Sequence, residues 1–395
     1  MNIAFVTPEF VTEECYDGGL ANYLARAAPE LAELGHRVTV IVRSVVDEEV
    51  DWNGVRVHRV AIGGPPLFFL GSLLRDLRSP LDWLWSGWKL SRAVRVQHLH
   101  DPFDIVQYAS FTGPALFRLQ GVPSVVRLSS YEPLLREASG ADLTFARRLQ
   151  QLIELLGLRR ADALFSPSRL IAEAGMKRTG REVEVIESPY AQSTDAVDER
   201  PCWESLRGRR YLLFFGSIGV LKGVGTIAEI IRPLLEAQAD LHFVFVGKDA
   251  GYRGRPMMQH VWEMAGPCRG RVLYLGKMRH CQLLPVIRQA LAVVLPSRMD
   301  NLPNTCIEAM AEGKAVIGTR GTSFEQLIED GVSGLLCDVD DPTALRASIE
   351  RLLAEPGLTA SLGEKARARI AQLSGAQPLQ NLLDFYRHCC AGRGR

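Results

Sequence analysis

The stretch 292-AVVLPSRMDNLPNTCIEAMAEG-313 changes its pattern twice. Ala292–Leu295 is apolar and β-branched, which predicts a buried strand, and the polar residues after it predict a loop. A helix is expected to begin near Asn304 and to end before Gly313. A helix N-terminus then lies where a strand finishes, and its unpaired N–H groups form a candidate anion site.

The same alternation of strand-like and helix-period segments extends along the chain in both directions. The segment from Leu20 to Leu34 is apolar at spacings of three and four, which predicts an amphipathic helix that Gly35 terminates. The other strand candidates are Ile3–Val6, Val38–Val42, Phe103–Val106, Ser124–Arg127, Ala163–Phe165, Val183–Ile186, Tyr211–Phe215, Leu241–Val246, Val272–Leu275, Ala315–Ile317 and Gly334–Cys337. This rhythm predicts an α/β protein with parallel sheets.

A polar stretch without periodicity, from Tyr190 to Arg210, separates two such arrays and is interpreted as a linker. The 395 residues are more than one hydrophobic core normally serves. We therefore expect two Rossmann-like domains, at residues 1–195 and 205–375, that face each other across a cleft. Ligands of such sheets bind at the carboxyl ends of the strands.

Composition excludes several classes of protein. A net charge of +1 argues against a nucleic-acid binder that depends on bulk basicity, and 47% hydrophobic residues argue against disorder. The longest apolar run, Pro65–Leu74, is shorter than the roughly 20 residues of a membrane span, and no secretory signal is expected. Eight cysteines without C-x-x-C spacing indicate reduced thiols in the cytoplasm and no structural zinc.

Three charged residues near predicted strand ends are candidate site residues. Asp300 lies in the loop and Glu308 lies one turn into the helix, so that both carboxylates can flank one ligand. Lys222, before the turn residue Gly223, can neutralise a phosphate group. The alternative is an ordinary loop in which Asn304 caps the helix and the charged side chains are solvated.

A pair of glycines, Gly18 and Gly19, directly precedes the first predicted helix. Glycine lets the backbone approach a ligand closely and presents the helix N-terminus to it. The alternative is a flexible loop that only joins a strand to a helix.

These blocks and several others resemble motifs of the retaining, family-four glycosyltransferases (glycosyl transferases group 1), which have the GT-B fold. Residues 300–308 resemble the family's E-x7-E signature, with aspartate in first place. The other blocks, in chain order, are Asp17–Ala21, Leu31–Val40, Ala161–Ser168, Gly216–Gly223, Val246–Gly247, Gly318–Glu325 and Gly331–Cys337. The similarity covers nearly the whole chain, to about Ile370.

The resemblance implies a catalytic set of Asp300, Glu308 and Lys222. Glu308 would bind the nucleotide ribose and Asp300 the transferred sugar, while Lys222 and the N–H groups of Leu302 to Thr305 would hold the diphosphate. The implied donor-binding residues are Gly18, Gly19, Ser217, Lys222, Gly276, Lys277, Met278, Leu302, Asn304, Thr305 and Glu308.

Three further placements follow from the resemblance. Glu325 would support the donor, and recognition of the base would fall near Gly276 to Gln282. The last helix, at about 376–395, would pack back onto the first domain, which would bind the acceptor while the second binds the donor.

Three residues depart from the family's pattern. Ser217 stands in the place of an arginine that partners the lysine, so a second cation would come from Arg298, Lys248 or Lys277. Ser129 stands where relatives carry a histidine that touches the sugar, so no imidazole base is expected there, although Ser129 could hydrogen-bond the sugar. Asp300 is shorter than the family's glutamate by about one methylene.

Two clusters have the residue types of metal ligands. His98-Leu99-His100-Asp101 is predicted to lie in a loop before a strand. Asp338-Val339-Asp340 resembles a metal-binding D-x-D, but it leads into a helix that Asp341 can cap. No metal and no cofactor are expected.

An aromatic segment in the first domain comprises Pro65–Leu70, Trp83, Trp85 and Trp88. It fits contact with a membrane or with a lipid-linked acceptor, and it fits a buried helical hairpin equally well.

The leading hypothesis is a metal-independent, retaining transfer of a sugar from a UDP-, GDP-, ADP- or TDP-sugar to a glycan, a lipid-linked sugar or a small molecule. Such an enzyme would be cytoplasmic, with or without contact with the inner face of the membrane, and would bind no nucleic acid. A catalytically silent, nucleotide-sugar-binding or regulatory protein is the alternative. A nicotinamide-dependent dehydrogenase is disfavoured because residues 6–10, VTPEF, form no G-x-G-x-x-G turn.

Overall fold

The computed structural model describes residues 1–13, 19–64, 77–129, 132–140, 142–189, 197–373 and 377–392. It divides the chain into two compact units, Met1–Pro189 with Ala376–Arg395 and Tyr190–Gly375. Each unit contains its own parallel sheet and its own buried hydrophobic core. Gly18 and Pro65–Leu70 lie outside the described residues.

The first unit is built on an eight-stranded sheet in the order β3-β4-β2-β1-β5-β6-β7-β8. Its strands are β1 (Asn2–Thr7), β2 (Arg37–Ser44), β3 (Glu48–Trp52), β4 (Val55–Ala61), β5 (Ile105–Ala109), β6 (Ser124–Arg127), β7 (Ala163–Ser166) and β8 (Glu184–Val185). Its helices are α1 (Gly19–Glu33), α2 (Arg78–His100), α3 (Glu132–Ser139), α4 (Phe145–Arg160) and α5 (Arg169–Thr179). All neighbouring strands are parallel except β3 and β4.

The predicted first helix is confirmed. Helix α1 buries Leu20, Leu24 and Leu31 on one face, and Gly35 follows it with a φ of 82° that suits glycine. The hairpin of β3 and β4 was not predicted, although its turn is Asn53-Gly54 with both φ angles positive.

Strand β5 begins two residues later than the predicted strand Phe103–Val106. The Asp104 carboxylate accepts a hydrogen bond from the Asn2 N–H at 2.6 Å, so this residue closes the loop instead of pairing with a strand. The predicted linker also contains a helix, Arg200–Leu206, whose last residue is fully buried in the core of the second unit.

Helix α2 corrects the prediction of a loop at His98–Asp101. The helix continues to His100 because no glycine or proline interrupts it after Gly87, and Pro102 follows its end. Trp83, Trp85 and Trp88 lie on this helix, and Trp88 is 42% exposed. Within the described ranges, no helix is both long and apolar enough to cross a bilayer.

The second unit contains a six-stranded parallel sheet in the order β13-β11-β9-β14-β15-β16. Its strands are β9 (Arg210–Phe215), β10 (Ile218–Gly219), β11 (Leu241–Val246), β12 (Asp249–Gly251), β13 (Val272–Tyr274), β14 (Ala292–Val294), β15 (Val316–Thr319) and β16 (Leu335–Cys337), of which β10 and β12 pair separately. Its helices are α6 (Arg200–Leu206), α7 (Val224–Ala237), α8 (Met257–Ala265), α9 (His280–Gln289), α10 (Asn304–Ala311), α11 (Phe324–Leu327), α12 (Pro342–Ala354) and α13 (Pro356–Leu373). The order of this sheet reverses between β9 and β14, where a Rossmann sheet opens its ligand crevice.

The last helix, α14 (Gln377–Ala391), packs on the core of the first unit. The Tyr386 hydroxyl donates a hydrogen bond to the Gln107 side chain on β5, and the rings of Phe385 and Phe165 meet with centroids 5.3 Å apart. The first unit therefore contains both ends of the chain.

Candidate functional site

Glycines bring together the loops at the carboxyl ends of β9, β11 and β14. Gly223 has a φ of 69°, and a Cβ added to it would lie 1.7 Å from the carbonyl oxygen of Pro296. A Cβ added to Gly247, whose φ is 139°, would lie 1.8 Å from the carbonyl oxygen of Gly216. No side chain fits in either place. The loops after β9, β11 and β14 can therefore approach each other this closely only because they contain glycine.

Two oppositely charged side chains connect the loops after β9 and β14. The ammonium group of Lys222 forms an ion pair with the carboxylate of Asp300, and their side chains are 30% and 14% exposed. The Arg298 N–H donates to the Leu221 carbonyl at 2.9 Å, and the Ser323 hydroxyl donates to the Asp300 carbonyl at 2.9 Å. The ion pair and these hydrogen bonds bring together two predicted site residues that are 78 positions apart in sequence.

Helix α10 presents its N-terminus beside this pair. Pro303 occupies the N-cap position and forms no side-chain cap, so the alternative in which Asn304 caps the helix is wrong. The N–H groups of Asn304 and Thr305 have no acceptor within the helix, because helical hydrogen bonds begin one turn later. The Thr305 methyl lies 3.5 Å from the position of a Cβ on Gly216, and Glu308 lies one turn further on, half-buried.

The other predicted donor residues of this unit lie on neighbouring loops. Ser217 is exposed directly after β9, and Glu325 is exposed on α11. Gly276 follows β13 and accepts a hydrogen bond from the Gly247 N–H at 2.8 Å. Lys277 is exposed, whereas Met278 packs partly against the core.

The three candidates for a second cation differ in their surroundings. Arg298 forms an ion pair with Asp340 at 2.7 Å, so a carboxylate already engages this guanidinium. Lys248 and Lys277 are both exposed. The Lys248 carbonyl accepts from the Ile218 N–H at 2.8 Å, which places residue 248 beside the strand end that carries Ser217.

The aspartates of the D-x-D segment have structural contacts. Asp340 pairs with Arg298, and Asp341 caps α12 as predicted, since its side chain accepts from the Ala344 N–H at 2.9 Å. Among the residues that the structure describes, no group of three or more His, Cys, Asp and Glu side chains could hold a metal ion.

Two predicted residues lie in the first unit. Gly19 is exposed at the start of α1. Ser129 follows β6, and its N–H donates to the Ser110 hydroxyl at 3.3 Å.

The sequence analysis missed a buried carboxyl group beside Ser110. Glu154 on α4 is 5% exposed. The pKa of its carboxyl is raised to about 8, mainly because the group is buried; the nearby charge of Glu132 adds to the shift, and a hydrogen bond with Ser110 opposes it. A signal was available, because this glutamate interrupts the otherwise apolar run Leu152–Leu158.

Comparisons with known proteins agree with this architecture. Residues 209–355 match the family described as glycosyl transferases group 1, and residues 18–186 match the glycosyl transferase 4-like domain. The chain is 25% identical to a D-inositol 3-phosphate glycosyltransferase of Paenarthrobacter aurescens over 95% of its length and 94% of the relative. It is 24% identical to an alpha-D-kanosaminyltransferase of Streptomyces kanamyceticus over 73% of its length and 76% of the relative.

Solved structures share the fold. The sucrose-phosphate synthase of Thermosynechococcus elongatus superposes with a TM-score of 0.77 at 19% identity, with 99% of each chain covered. Anabaena HepE, in complex with UDP-glucose, superposes with a TM-score of 0.72 at 17% identity, over 98% of this chain and all of HepE. The fold is therefore GT-B.

Proposed function

The chain belongs to the group 1 glycosyl transferases and is a transferase of the GT-B fold, and on this premise we propose that it transfers a sugar from a nucleotide-sugar to a sugar-containing or small-molecule acceptor with retention and without a metal. The main support for the proposal is that Lys222, Asp300 and the N-terminus of α10 lie together where the strand order reverses between β9 and β14.

In the proposed complex, the diphosphate lies over the N–H groups of Asn304 and Thr305. Lys222 exchanges its carboxylate partner for the phosphate, because the diphosphate is also an anion and has a larger negative charge than a carboxylate. Asp300 is thereby released to accept hydrogen bonds from the transferred sugar, and Glu308 accepts from the ribose hydroxyls. Lys248 is the favoured second cation, because its backbone carbonyl accepts a hydrogen bond from the Ile218 N–H next to Ser217.

The proposed reaction needs no side-chain base. The bond between the anomeric carbon and the phosphate oxygen breaks, and the electron pair leaves with the diphosphate. The acceptor oxygen bonds to the same face of the anomeric carbon, and its proton passes to the departing phosphate oxygen. Lys222 and α10 stabilise the charge that grows there, which is why a serine at position 129 is compatible with turnover.

The first test is thermal unfolding of the whole chain with UDP, GDP, ADP, TDP and their sugar conjugates, with NAD as a negative control. UDP is the first choice because HepE holds UDP-glucose. A ligand at 100 times its dissociation constant should stabilise the protein by about 2.7 kcal/mol. Lys222→Ala should abolish the shift, while Lys365→Ala, which removes an exposed lysine on α13, should retain it.

Three outcomes would contradict the proposal. If no nucleoside diphosphate stabilises the protein, the donor site is wrong. If EDTA abolishes the shift, the site depends on a metal. If a nucleotide-sugar binds but neither hydrolysis nor transfer is detected, and Glu308→Gln changes nothing but affinity, the silent nucleotide-sugar-binding protein is the correct description.

A further inference from the structure

A groove of about 950 Å³ lies on the first unit, and none of the residues proposed to bind the donor lines it. It is lined by the second half of α2, by residues 116–120 and by Arg160 at the end of α4. These elements directly precede β5, β6 and β7. The groove therefore opens at the amino ends of the strands, on the edge of the sheet opposite Ser129.

The lining of the groove is positively charged. Arg92, Arg95, Arg118 and Arg160 line it, and no described aspartate or glutamate does. The protein itself holds two of these arginines: Arg118 lies 3.4 Å from Asp162, and Arg160 donates to the Leu116 carbonyl at 2.7 Å. The other two are exposed on α2. In a chain with a net charge of +1, this concentration of arginine favours an anionic ligand.

The same face of α2 exposes large apolar side chains. Leu99 is 77% exposed, Val96 is 45% exposed and Trp88 is 42% exposed. They alternate with Arg92 and Arg95 at spacings of three and four, so all five side chains share one helix face. A soluble inorganic anion would gain nothing from this apolar surface, whereas a phospholipid layer offers phosphate groups above an apolar interior.

We propose that this groove docks the protein on an anionic phospholipid membrane. Arg92 and Arg95 bind lipid phosphates, and Leu99, Val96 and Trp88 insert between the head groups. The inference does not depend on the sugar-transfer reaction, because the groove shares no residue with the proposed donor site.

The test is sedimentation of the full chain with vesicles of phosphatidylglycerol and phosphatidylcholine, compared with pure phosphatidylcholine. We expect binding to the anionic vesicles that weakens at high salt. R92E/R95E should lower the partition coefficient at least about 25-fold, since each lost arginine accounts for about fivefold. K177E/R178E makes the same change of charge on the exposed face of α5 and should bind like the wild type.

A second variant tests the apolar part of the groove. Leu99→Ser should weaken vesicle binding without lowering the unfolding temperature, because this side chain is largely exposed. Brominated lipids should quench tryptophan fluorescence, and Trp88→Phe should remove most of the quenching.

The proposal is overturned if the protein ignores anionic vesicles at low salt, or if K177E/R178E and R92E/R95E lose binding equally. It is also overturned if Leu99→Ser has no effect. Saturable binding of glycerol phosphate without any vesicle binding would assign the groove to a soluble anion instead.

Discussion

The carboxyl-terminal edges of the two sheets are held together in different ways. In the second unit, glycine contacts and the ion pair of Lys222 with Asp300 join the loops after β9 and β14. In the first unit, the loops after β5 and β6 are joined by Ser110, which accepts from the Ser129 N–H and hydrogen-bonds the buried Glu154. We therefore expect the stability of the second unit to depend on the close packing of its loops, and the stability of the first unit to depend on the protonation of Glu154.

The largest effect is expected from Gly223→Ala. The new methyl group would overlap the Pro296 carbonyl and would sit on a residue with positive φ. The free energy of unfolding of the second unit should fall by about 4 kcal/mol, and donor binding should be lost. Chemical denaturation and nucleotide titration measure the two effects.

Gly225→Ala is the matched control. This glycine lies two positions away in α7, where an added Cβ meets nothing within 4 Å. Alanine should stabilise the helix by about 0.5 kcal/mol. If the two variants behave alike, close packing of the loops is not what forms this edge.

In the first unit, Glu154→Gln should remove a pH dependence of stability. The pKa of Glu154 is raised to about 8 in the folded protein from 4.5. The folded state therefore binds more protons, and the stability from this group is fully present below pH 4.5 and is lost as pH rises through 8. The variant should match the wild type at low pH and exceed it by a few kcal/mol above pH 8, since each unit of the pKa difference is worth about 1.4 kcal/mol.

Denaturation of both proteins across this pH range provides the measurement, and the difference between the curves isolates the residue. Glu173→Gln, a change on the exposed face of α5, should leave that difference flat. A flat difference for Glu154→Gln as well would mean that the carboxyl is hydrated, and the contrast between the two edges would disappear.

Ser323→Ala should have a smaller effect in the second unit. It removes the hydrogen bond that holds the Asp300 carbonyl, at a cost of about 1 kcal/mol, and should loosen the loop that we propose to bind the donor. Ser348→Ala is the control, because that hydroxyl bonds only within its own helix. Equal donor affinity in the two variants would argue that the loop does not need this anchor.

The smallest effect is expected for the ion pair itself. A double-mutant cycle of Lys222→Ala and Asp300→Ala in the ligand-free protein should give a coupling energy below about 1 kcal/mol, because the pair is partly exposed. The same lysine should matter far more for donor affinity. A large coupling without ligand would indicate that the pair is structural.

Much of the fold could be predicted from local patterns. Continuous apolar runs marked the buried parallel strands, and the helix period located α1. The edge hairpin of β3 and β4 was missed because its alternation is weak, although Asn53-Gly54 is a strong turn signal.

The site was predicted less completely, for a physical reason. The resemblance to a family named Lys222 and Asp300, but no local pattern shows that residues so distant in sequence form a pair. The ion pair of Arg298 with Asp340, 42 positions away, is also seen only in the structure. The burial of Glu154 likewise depends on packing between elements, which composition and periodicity do not encode.

The position of α14 has a consequence for how the protein is made. Because Tyr386 and Phe385 complete the core around Gln107 and Phe165, the second unit is in effect an insertion within the first. A ribosome that has synthesised Met1–Pro189 has produced a sheet that still lacks its last helix. The second unit can fold as soon as its own strands emerge, so we expect the first-made half of the protein to be the last to reach its final stability.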